Sequence, residues 1–296
     1  MKKKLLLLML TIMMIVPTGC ALRRDTMENI TIYTSSYPIE YITTSLYGKY
    51  SKIESIYPYG ITNNTYELTD EQIKLYSNEA SLFIFNGIDK EKDYVGRMLS
   101  YNKKLKIIDS TKSIDYEYGD AELWLNPSNV LMMAKNIKEG FNEYVSNQYL
   151  KNNISTNYDN LKLTISKLES KIYFTVETSD DKNIVVANNS LKFLEKYGLK
   201  VYSLDEETIN EKTIETVKSI ISKNKIGYIY SLDEEDTDTV KSFKDNYKLE
   251  VLKINDLSNL SENDRKNNRD YISVMNDNID LLRKEIYNKR ANNYCG

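Results

Sequence analysis

The sequence predicts an α/β protein of two lobes, each with a mostly parallel sheet that carries helices on both faces. Short apolar, β-branched runs alternate with amphipathic helical segments along nearly the whole chain. Such alternation is typical of parallel sheets between helix layers. A helix-periodic segment, Ser155–Phe174, divides the series near its middle. Because the 296 residues suffice for two modest domains, we expect two lobes joined by one long, rigid helix.

The first nineteen residues have the pattern of an export signal. Three lysines, Lys2–Lys4, precede an apolar run, Leu5–Val16, which is shorter than the roughly 20 residues that span a bilayer. The following Thr-Gly-Cys20 resembles a lipobox, although Pro17 stands where an aliphatic residue is usual. We expect a signal peptide over 1–19 and a lipid-anchored tether over 20–28, with the lipid on Cys20. An ordinary secretory signal is the alternative.

The N-terminal lobe is expected over residues 29–150. The run Ser81–Gly87 is continuously apolar up to its closing Asn-Gly, which is the pattern of a strand buried on both faces. Pro127 stands at the start of an amphipathic segment, where proline favours the first helical turn. The strands are expected at Ile30–Ser36, Lys52–Gly60, Ser81–Gly87 and Lys104–Asp109, and the helices at Pro38–Tyr47, Thr69–Tyr76, Asp93–Tyr101 and Pro127–Tyr144.

A linking helix is expected over residues 151–180. Its apolar positions step by three and four residues and therefore share one helical face; they are Tyr158, Leu161, Ile165, Leu168 and Ile172. Two lobes joined in this way leave a cleft between them, which is a common place for a ligand.

The C-terminal lobe is expected over residues 181–296, where the alternation repeats. Gly198 is placed to end a helix. The strands are expected at Asn183–Ala187, Lys200–Leu204, Ile226–Leu232 and Leu249–Ile254, and the helices at Ser190–Tyr197, Glu211–Lys223, Thr237–Tyr247 and Asp270–Tyr287.

The composition excludes several kinds of chemistry. The chain has no histidine, which rules out Ser-His-Asp and Cys-His catalysis and any zinc or haem site built on imidazole. Two cysteines are too few for a four-thiolate site, and a net charge of −3 disfavours nucleic-acid binding. Since no activated nucleophile is visible, we expect a binding protein rather than an enzyme. A glycosidase-like pair of Glu122 and Asp256 is the distant alternative.

Several strings, in order along the chain, resemble one family. They are YTSSYPIEYITTSLYG from Tyr33, SLFIFNG from Ser81, DAELWLNPSNVLMMAKNI from Asp120 and DYISVMNDNIDLLRKEI from Asp270. Together with Cys20, they resemble the solute-binding lipoproteins of zinc and manganese ABC transporters. The resemblance implies a monomeric protein, anchored to the cell membrane and facing outwards, that binds a divalent cation between its lobes and delivers it to an ABC permease.

The resemblance also implies a position for each metal ligand. Members of the family hold the metal with three histidines, or with two histidines and a Glu, and one further carboxylate. The corresponding positions here are Asn64, Glu122, Asn188 and Asp256, with Ala187 in place of Asn188 if the alignment shifts by one residue. None of them is a histidine.

The four candidate ligands leave two interpretations open. Oxygen donors suit Mn²⁺, Ca²⁺ or Mg²⁺ better than Zn²⁺, so the cleft can be an oxygen-only cation site. Alternatively, the scaffold has lost metal binding and serves as a surface adhesion or accessory lipoprotein. The 25 tyrosines likewise either line a cleft or fill the core.

Overall fold

The computed structural model describes residues 27–61, 66–224, 226–233 and 235–287. Within these ranges the chain forms two parallel sheets of four strands, in the orders β2-β1-β3-β4 and β6-β5-β7-β8. The strands are β1 Ile30–Thr34, β2 Ser51–Ser55, β3 Leu82–Phe85, β4 Lys106–Asp109, β5 Asn183–Val186, β6 Lys200–Ser203, β7 Tyr228–Ser231 and β8 Glu250–Lys253.

Helices connect the strands in both lobes. The helices are α1 Tyr37–Tyr47, α2 Asp70–Glu79, α3 Asp89–Tyr101, α4 Glu122–Leu125, α5 Pro127–Tyr144, α6 Gln148–Glu177, α7 Glu211–Asn224, α8 Asp238–Tyr247, α9 Glu262–Lys266 and α10 Tyr271–Ile286, with 3-10 helices at Gly48–Tyr50 and Asn189–Tyr197.

The sheet of the N-terminal lobe is covered on both faces. Every residue of β3, Leu82–Phe85, is buried. On one face, α1 and α5 contribute Ile42 and Met133 to the main core. On the other, α2 and α3 contribute Ile73 and Met98 to a second cluster. This arrangement confirms the expected α/β class for this lobe.

The C-terminal lobe repeats the same plan. Helix α10 contributes Ile279 to the main core, whereas α7 and α8 contribute Val217 and Phe243 to a third cluster. The main core includes residues of both lobes and of α6, so the two sheets share one continuous apolar interior.

Helix α6, Gln148–Glu177, links the lobes and is shifted by three residues towards the N-terminus from the helix expected over residues 151–180. It starts at Gln148 because Asn147 caps it: Oδ1 of Asn147 accepts hydrogen bonds from the backbone N–H groups of Tyr149 (2.9 Å) and Leu150 (3.3 Å). The helix packs against α1 and α5 of one lobe and α10 of the other. No helix in the described ranges has the length and apolarity needed to cross a bilayer.

Other elements also differ from the expected ones. Strand β2 ends at Ser55 rather than Gly60, because the residues beyond it turn towards the C-terminal lobe. Gly60 adopts a φ of +74°, and its N–H donates to the carbonyl of Leu260 at 2.9 Å. The short helices α4 and α9 were not expected, since four or five residues show no helical period.

Candidate functional site

The two lobes meet along the loops that follow the carboxyl ends of their strands. Tyr37, just after β1, donates its backbone N–H to the carbonyl of Ser258, after β8, at 3.4 Å. Ser190, after β5, donates its hydroxyl to the carbonyl of Tyr118, after β4, at 3.0 Å. The carboxyl ends of parallel strands are where open α/β sheets bind ligands. We therefore take this junction as the candidate site.

Glu122 begins helix α4 at the junction and is 7% exposed. Its Oε2 accepts two backbone hydrogen bonds, from the N–H groups of Glu117 (3.1 Å) and Tyr118 (2.9 Å). The carboxylate therefore organises the loop that leads into its own helix. This same loop, through the carbonyl of Tyr118, contacts the C-terminal lobe.

Asn188 follows β5 and is partly buried. Its Oδ1 accepts from the N–H of Ser190 at 3.3 Å, and its Nδ2 donates to Oδ2 of Asp233 at 3.2 Å. The alternative position, Ala187, is buried in an apolar cluster. Asp233 was not among the expected site residues, because it opens an acidic run before α8 and such a run also suits a helix N-terminus.

Asp256 follows β8, and its side chain closes a turn. Its Oδ1 accepts from the N–H (3.0 Å) and the hydroxyl (2.9 Å) of Ser258. Its carbonyl accepts a hydrogen bond from the indole Nε1 of Trp124 at 2.6 Å. The hydroxyl of Tyr271 in turn donates to the carbonyl of Trp124 at 2.6 Å, and complete burial raises the pKa of that hydroxyl well above its ordinary value.

The structure thus brings together the segments of three expected site residues. The hydrogen bonds given above tie the side chains of Glu122, Asn188 and Asp256 each to its own lobe. Asn64 and the lipidation candidate Cys20 lie outside the described residues. Within the described ranges, no group of three or more Asp, Glu or Cys side chains is arranged to hold a metal ion.

A second polar cluster lies at the carboxyl ends of β1 and β3. Glu91 is fully buried, and its Oε2 accepts from the N–H of Asn86 at 3.2 Å. Oε1 of Glu91, Oγ of Ser35 and Nδ2 of Asn86 are buried without a hydrogen-bond partner among the described residues.

Burial raises the pKa of Glu91 to about 8. Asp120 raises the pKa further, whereas the backbone N–H of Asn86, which donates to Oε2, lowers it. No sequence pattern indicates this buried carboxyl, because Glu91 lies among charged residues in the segment DKEKD and such a segment is typical of a solvated helix face.

Several of the tyrosines fill the core. Tyr47, Tyr94, Tyr230 and Tyr271 are among the largest fully buried side chains. Four others do line a groove of about 360 Å³ beside strand β2, together with Glu40 and Glu54; these are Tyr33, Tyr57, Tyr59 and Tyr76. The described tyrosines therefore include both core residues and groove-lining residues, and recognition of a solute by the groove stays a prediction.

Known proteins share this fold and sequence pattern. The family model described as "Zinc-uptake complex component A periplasmic", ZnuA, matches residues 32–285. The zinc-binding lipoprotein AdcA of Streptococcus pneumoniae is 23% identical over 313 aligned positions, which cover 95% of this chain and 61% of that protein. The zinc-binding protein AdcA of Streptococcus pyogenes is 20% identical, covering 96% and 61%. The chain therefore spans about 61% of the length of these curated relatives.

Solved structures agree on the fold. The Zn(II)-bound ZnuA-like domain of Streptococcus pneumoniae AdcA has a TM-score of 0.71 at 20% identity, covering 87% of this chain and 99% of that one. The metal-dependent lipoprotein YcdH from Bacillus subtilis has a TM-score of 0.73 at 19% identity, with the same coverage. Since the family model matches most of the chain, this protein belongs to the ZnuA family of zinc-uptake components.

Proposed function

We propose that this chain is the extracytoplasmic solute-binding component of a metal ABC transporter and takes a divalent cation into the junction between its lobes. The observation that carries the proposal is the pair of contacts across the junction, Ser190 to Tyr118 and Trp124 to Asp256. These contacts bring the segments that carry Glu122, Asn188 and Asp256 to one interface. The chain also belongs to a family of zinc-uptake components.

The proposed ligands are Asn64, Glu122, Asn188 and Asp256. Two carboxylates offset the charge of a divalent cation, and two amide oxygens add neutral donors, with water completing the shell. Because none of the four side chains offers an imidazole or a thiolate ligand, the oxygen-only set suits Mn²⁺, Ca²⁺ or Mg²⁺ better than it suits Zn²⁺, and we expect Mn²⁺ as the bound cation.

Calorimetric titration of the purified protein with Mn²⁺, Zn²⁺ and Ca²⁺ tests the proposal. We expect binding of Mn²⁺ and a weaker affinity in Glu122→Gln, which keeps an oxygen to accept from the Tyr118 backbone but loses the charge. The exposed Glu71→Gln is the matched control. Absence of heat for every cation at tens of micromolar would overturn the proposal, and elemental analysis of protein purified without chelators provides an independent check.

A second candidate function follows from a different observation. The side chains of Glu122, Asn188 and Asp256 are each tied to their own lobe by the hydrogen bonds described above. This favours a family member that keeps the scaffold without the cation and acts as a surface adhesion or accessory lipoprotein. Such a protein melts at the same temperature with EDTA and with any added cation.

The attachment to the membrane is also a proposal. We infer that the signal peptide ends at residue 19 and that Cys20 carries lipid, so that both lobes lie outside the cell membrane. In this arrangement the tether, 20–28, is followed by the N-terminal lobe, 29–150, the linking helix, 151–180, and the C-terminal lobe, 181–296. Cys20→Ala is expected to move the protein from the membrane fraction to the medium or periplasm. An unchanged membrane fraction would contradict lipidation at Cys20.

The partner of such a protein is the permease of the transporter. We expect a monomer in solution, no bound nucleic acid and no catalytic activity. Size-exclusion chromatography with light scattering tests the first point, and chemical crosslinking in membranes tests contact with a permease.

A further inference from the structure

An ion pair joins the two lobes at one end of the junction. Arg265 lies on α9 of the C-terminal lobe, and Glu40 lies in the first turn of α1 in the N-terminal lobe. Nη1 of Arg265 is 2.7 Å from Oε1 of Glu40, and Nη2 is 2.9 Å from Oε2. The two side chains are 19% and 14% exposed. This bidentate geometry fixes both the distance and the orientation of the partners.

Two tyrosine rings accompany the pair. The guanidinium carbon of Arg265 lies 4.2 Å from the ring centre of Tyr59 and 5.2 Å from that of Tyr37. A planar guanidinium binds a carboxylate through two nitrogens and also stacks on aromatic rings, whereas a lysine ammonium does neither. We name Glu40, Tyr37, Tyr59 and Arg265 the interlobe clasp.

Main-chain contacts next to the clasp hold the same two segments. The N–H of Gly60 donates to the carbonyl of Leu260 at 2.9 Å. The side-chain amide of Asn259 donates to the carbonyls of Pro58 (2.7 Å) and Ile61 (2.6 Å). The loop after β2 is therefore fastened to the segment that follows β8.

These two segments adjoin proposed ligands in the sequence. Ile61 is three residues before Asn64, and Ser258 is two residues after Asp256. Whatever fixes the loop to this segment also fixes the separation of the two lobes near the proposed site. A ligand held between lobes binds only those molecules in which the lobes have the correct separation. The apparent affinity is therefore proportional to the fraction of molecules in that state.

We propose that Arg265 and Glu40 are positioning residues which hold the lobes closed in the absence of any solute and so preorganise the interlobe site. The effect on solute affinity rests on the proposed function, whereas the closure itself does not. The clasp adds a charged, oriented contact to the apolar core and the hydrogen bonds that already join the lobes.

The single tryptophan gives a direct readout of closure. Trp124 is at the junction and is 3% exposed, and it is the only tryptophan of the full chain. Acrylamide quenching of its fluorescence, measured on the EDTA-treated full chain, therefore reports the separation of the lobes without any solute. Circular dichroism on the same samples reports whether the lobes are folded.

The following variants distinguish an effect on lobe closure from a general loss of stability. We expect Arg265→Met and Glu40→Gln to increase the quenching constant severalfold with unchanged circular dichroism, and Arg265→Lys to lie between them and the wild type. Arg269→Lys is the matched control, because Arg269 pairs with Asp264 and Asp277 of its own lobe and its change should leave quenching unaltered.

Two results would contradict the proposed role of the clasp in holding the lobes closed. One is wild-type quenching in folded Arg265→Met; if that variant does not fold, wild-type quenching in Glu40→Gln decides equally. The other is an increase in the quenching constant of Arg269→Lys that is as large as the increase in Arg265→Met. In a second measurement, the Mn²⁺ affinity of Arg265→Met should fall on the order of tenfold. Absence of Mn²⁺ binding in every variant contradicts the proposed function alone, because the quenching result stands without it.

Discussion

The indole Nε1 of Trp124 donates a 2.6 Å hydrogen bond to the main-chain carbonyl of Asp256, which joins the N-terminal lobe to the C-terminal lobe directly. The acceptor is backbone, so its position depends on the path of the chain after β8 rather than on a rotamer. Because Trp124 is two residues from Glu122, this bond joins the segments that carry the two proposed carboxylate ligands.

Replacing Trp124 by Phe should lower the free energy of unfolding by about 0.5–1.5 kcal/mol, since the partly buried carbonyl of Asp256 loses its donor while the aromatic packing is largely kept. Urea denaturation followed by circular dichroism measures the change. Tyr271→Phe removes the neighbouring bond to the carbonyl of Trp124, and the double variant should show a coupling of about 0.5 kcal/mol or more. Strict additivity would contradict a shared network.

Glu91 should make the protein less stable as the pH rises from about 4.5 to about 8, because its pKa is raised from 4.5 to about 8. In this window the unfolded chain releases the proton that the folded chain keeps. Stability is then lost at up to about 1.4 kcal/mol per pH unit. The chain has no histidine, so no imidazole contributes to the pH dependence in this window.

The variant Glu91→Gln should flatten that dependence and be more stable than the wild type at pH 8. Urea denaturation at pH 5, 6.5 and 8 measures the slope. The exposed Glu71→Gln is the control and should keep the wild-type slope. An equal slope in Glu91→Gln would show that Glu91 is already ionised at the lower pH.

Alanine substitution at two helical glycines should change the stability of the protein in opposite directions. A Cβ on Gly140 of α5 would lie 2.6 Å from the Cδ1 and Cγ1 atoms of Ile108, whereas a Cβ on Gly96 of α3 meets nothing within 4 Å. Overpacking costs about 1–3 kcal/mol, which exceeds the roughly 1 kcal/mol that alanine gains in a helix.

Thermal melts of the two variants provide the measurement. Gly96→Ala should raise the melting temperature and Gly140→Ala should lower it. A higher melting temperature for Gly140→Ala would mean that β4 shifts freely away from α5.

Asp256→Asn should weaken cation binding without loss of the fold. An asparagine oxygen can still accept from the N–H of Ser258, as Oδ1 of Asp256 does, but the negative charge is gone. For the wild type, a cation at a hundredfold excess over its Kd stabilises by about 2.7 kcal/mol.

Melting with EDTA and with excess Mn²⁺ measures this difference for each variant. We expect the stabilisation to persist in the exposed control Asp245→Asn and to shrink in Asp256→Asn. Equal stabilisation in both variants would remove Asp256 from the ligand set.

Much of the fold could be predicted from the sequence where local signals agree with packing. Helix α5 occupies the expected residues, Pro127–Tyr144, because Pro127 starts it and Asn126 caps it. Strand β2 was expected to reach Gly60 because its apolar residues continue past Ser55. Soon after the strand ends, Pro58, which has no backbone N–H, begins a turn in which the Ile61 N–H donates to the Pro58 carbonyl at 3.1 Å. This local signal argues against the longer strand, whereas the contact of the turn with the other lobe has no local pattern.

Less of the candidate site than of the fold could be predicted from the sequence. The positions of Glu122 and Asp256 came from a family resemblance, yet their hydrogen bonds to nearby loop residues depend on exact backbone geometry. Glu91 and Asp233 lie in charged segments that suit solvated helices, and only the tertiary structure buries Glu91 or brings Asp233 to Asn188. Burial of a single charged residue leaves no periodic trace in the sequence.

The identical strand orders of the two sheets have one further consequence. In each lobe the connections reverse direction beside the first strand, between β1 and β3 and between β5 and β7. This is the topological switch point, where an open sheet forms a crevice. Asn86 follows β3 in one lobe, and Asn188 and Asp233 follow β5 and β7 in the other. A solute held between the lobes would therefore occupy two facing half-sites of the same architecture, one built by each half of the chain.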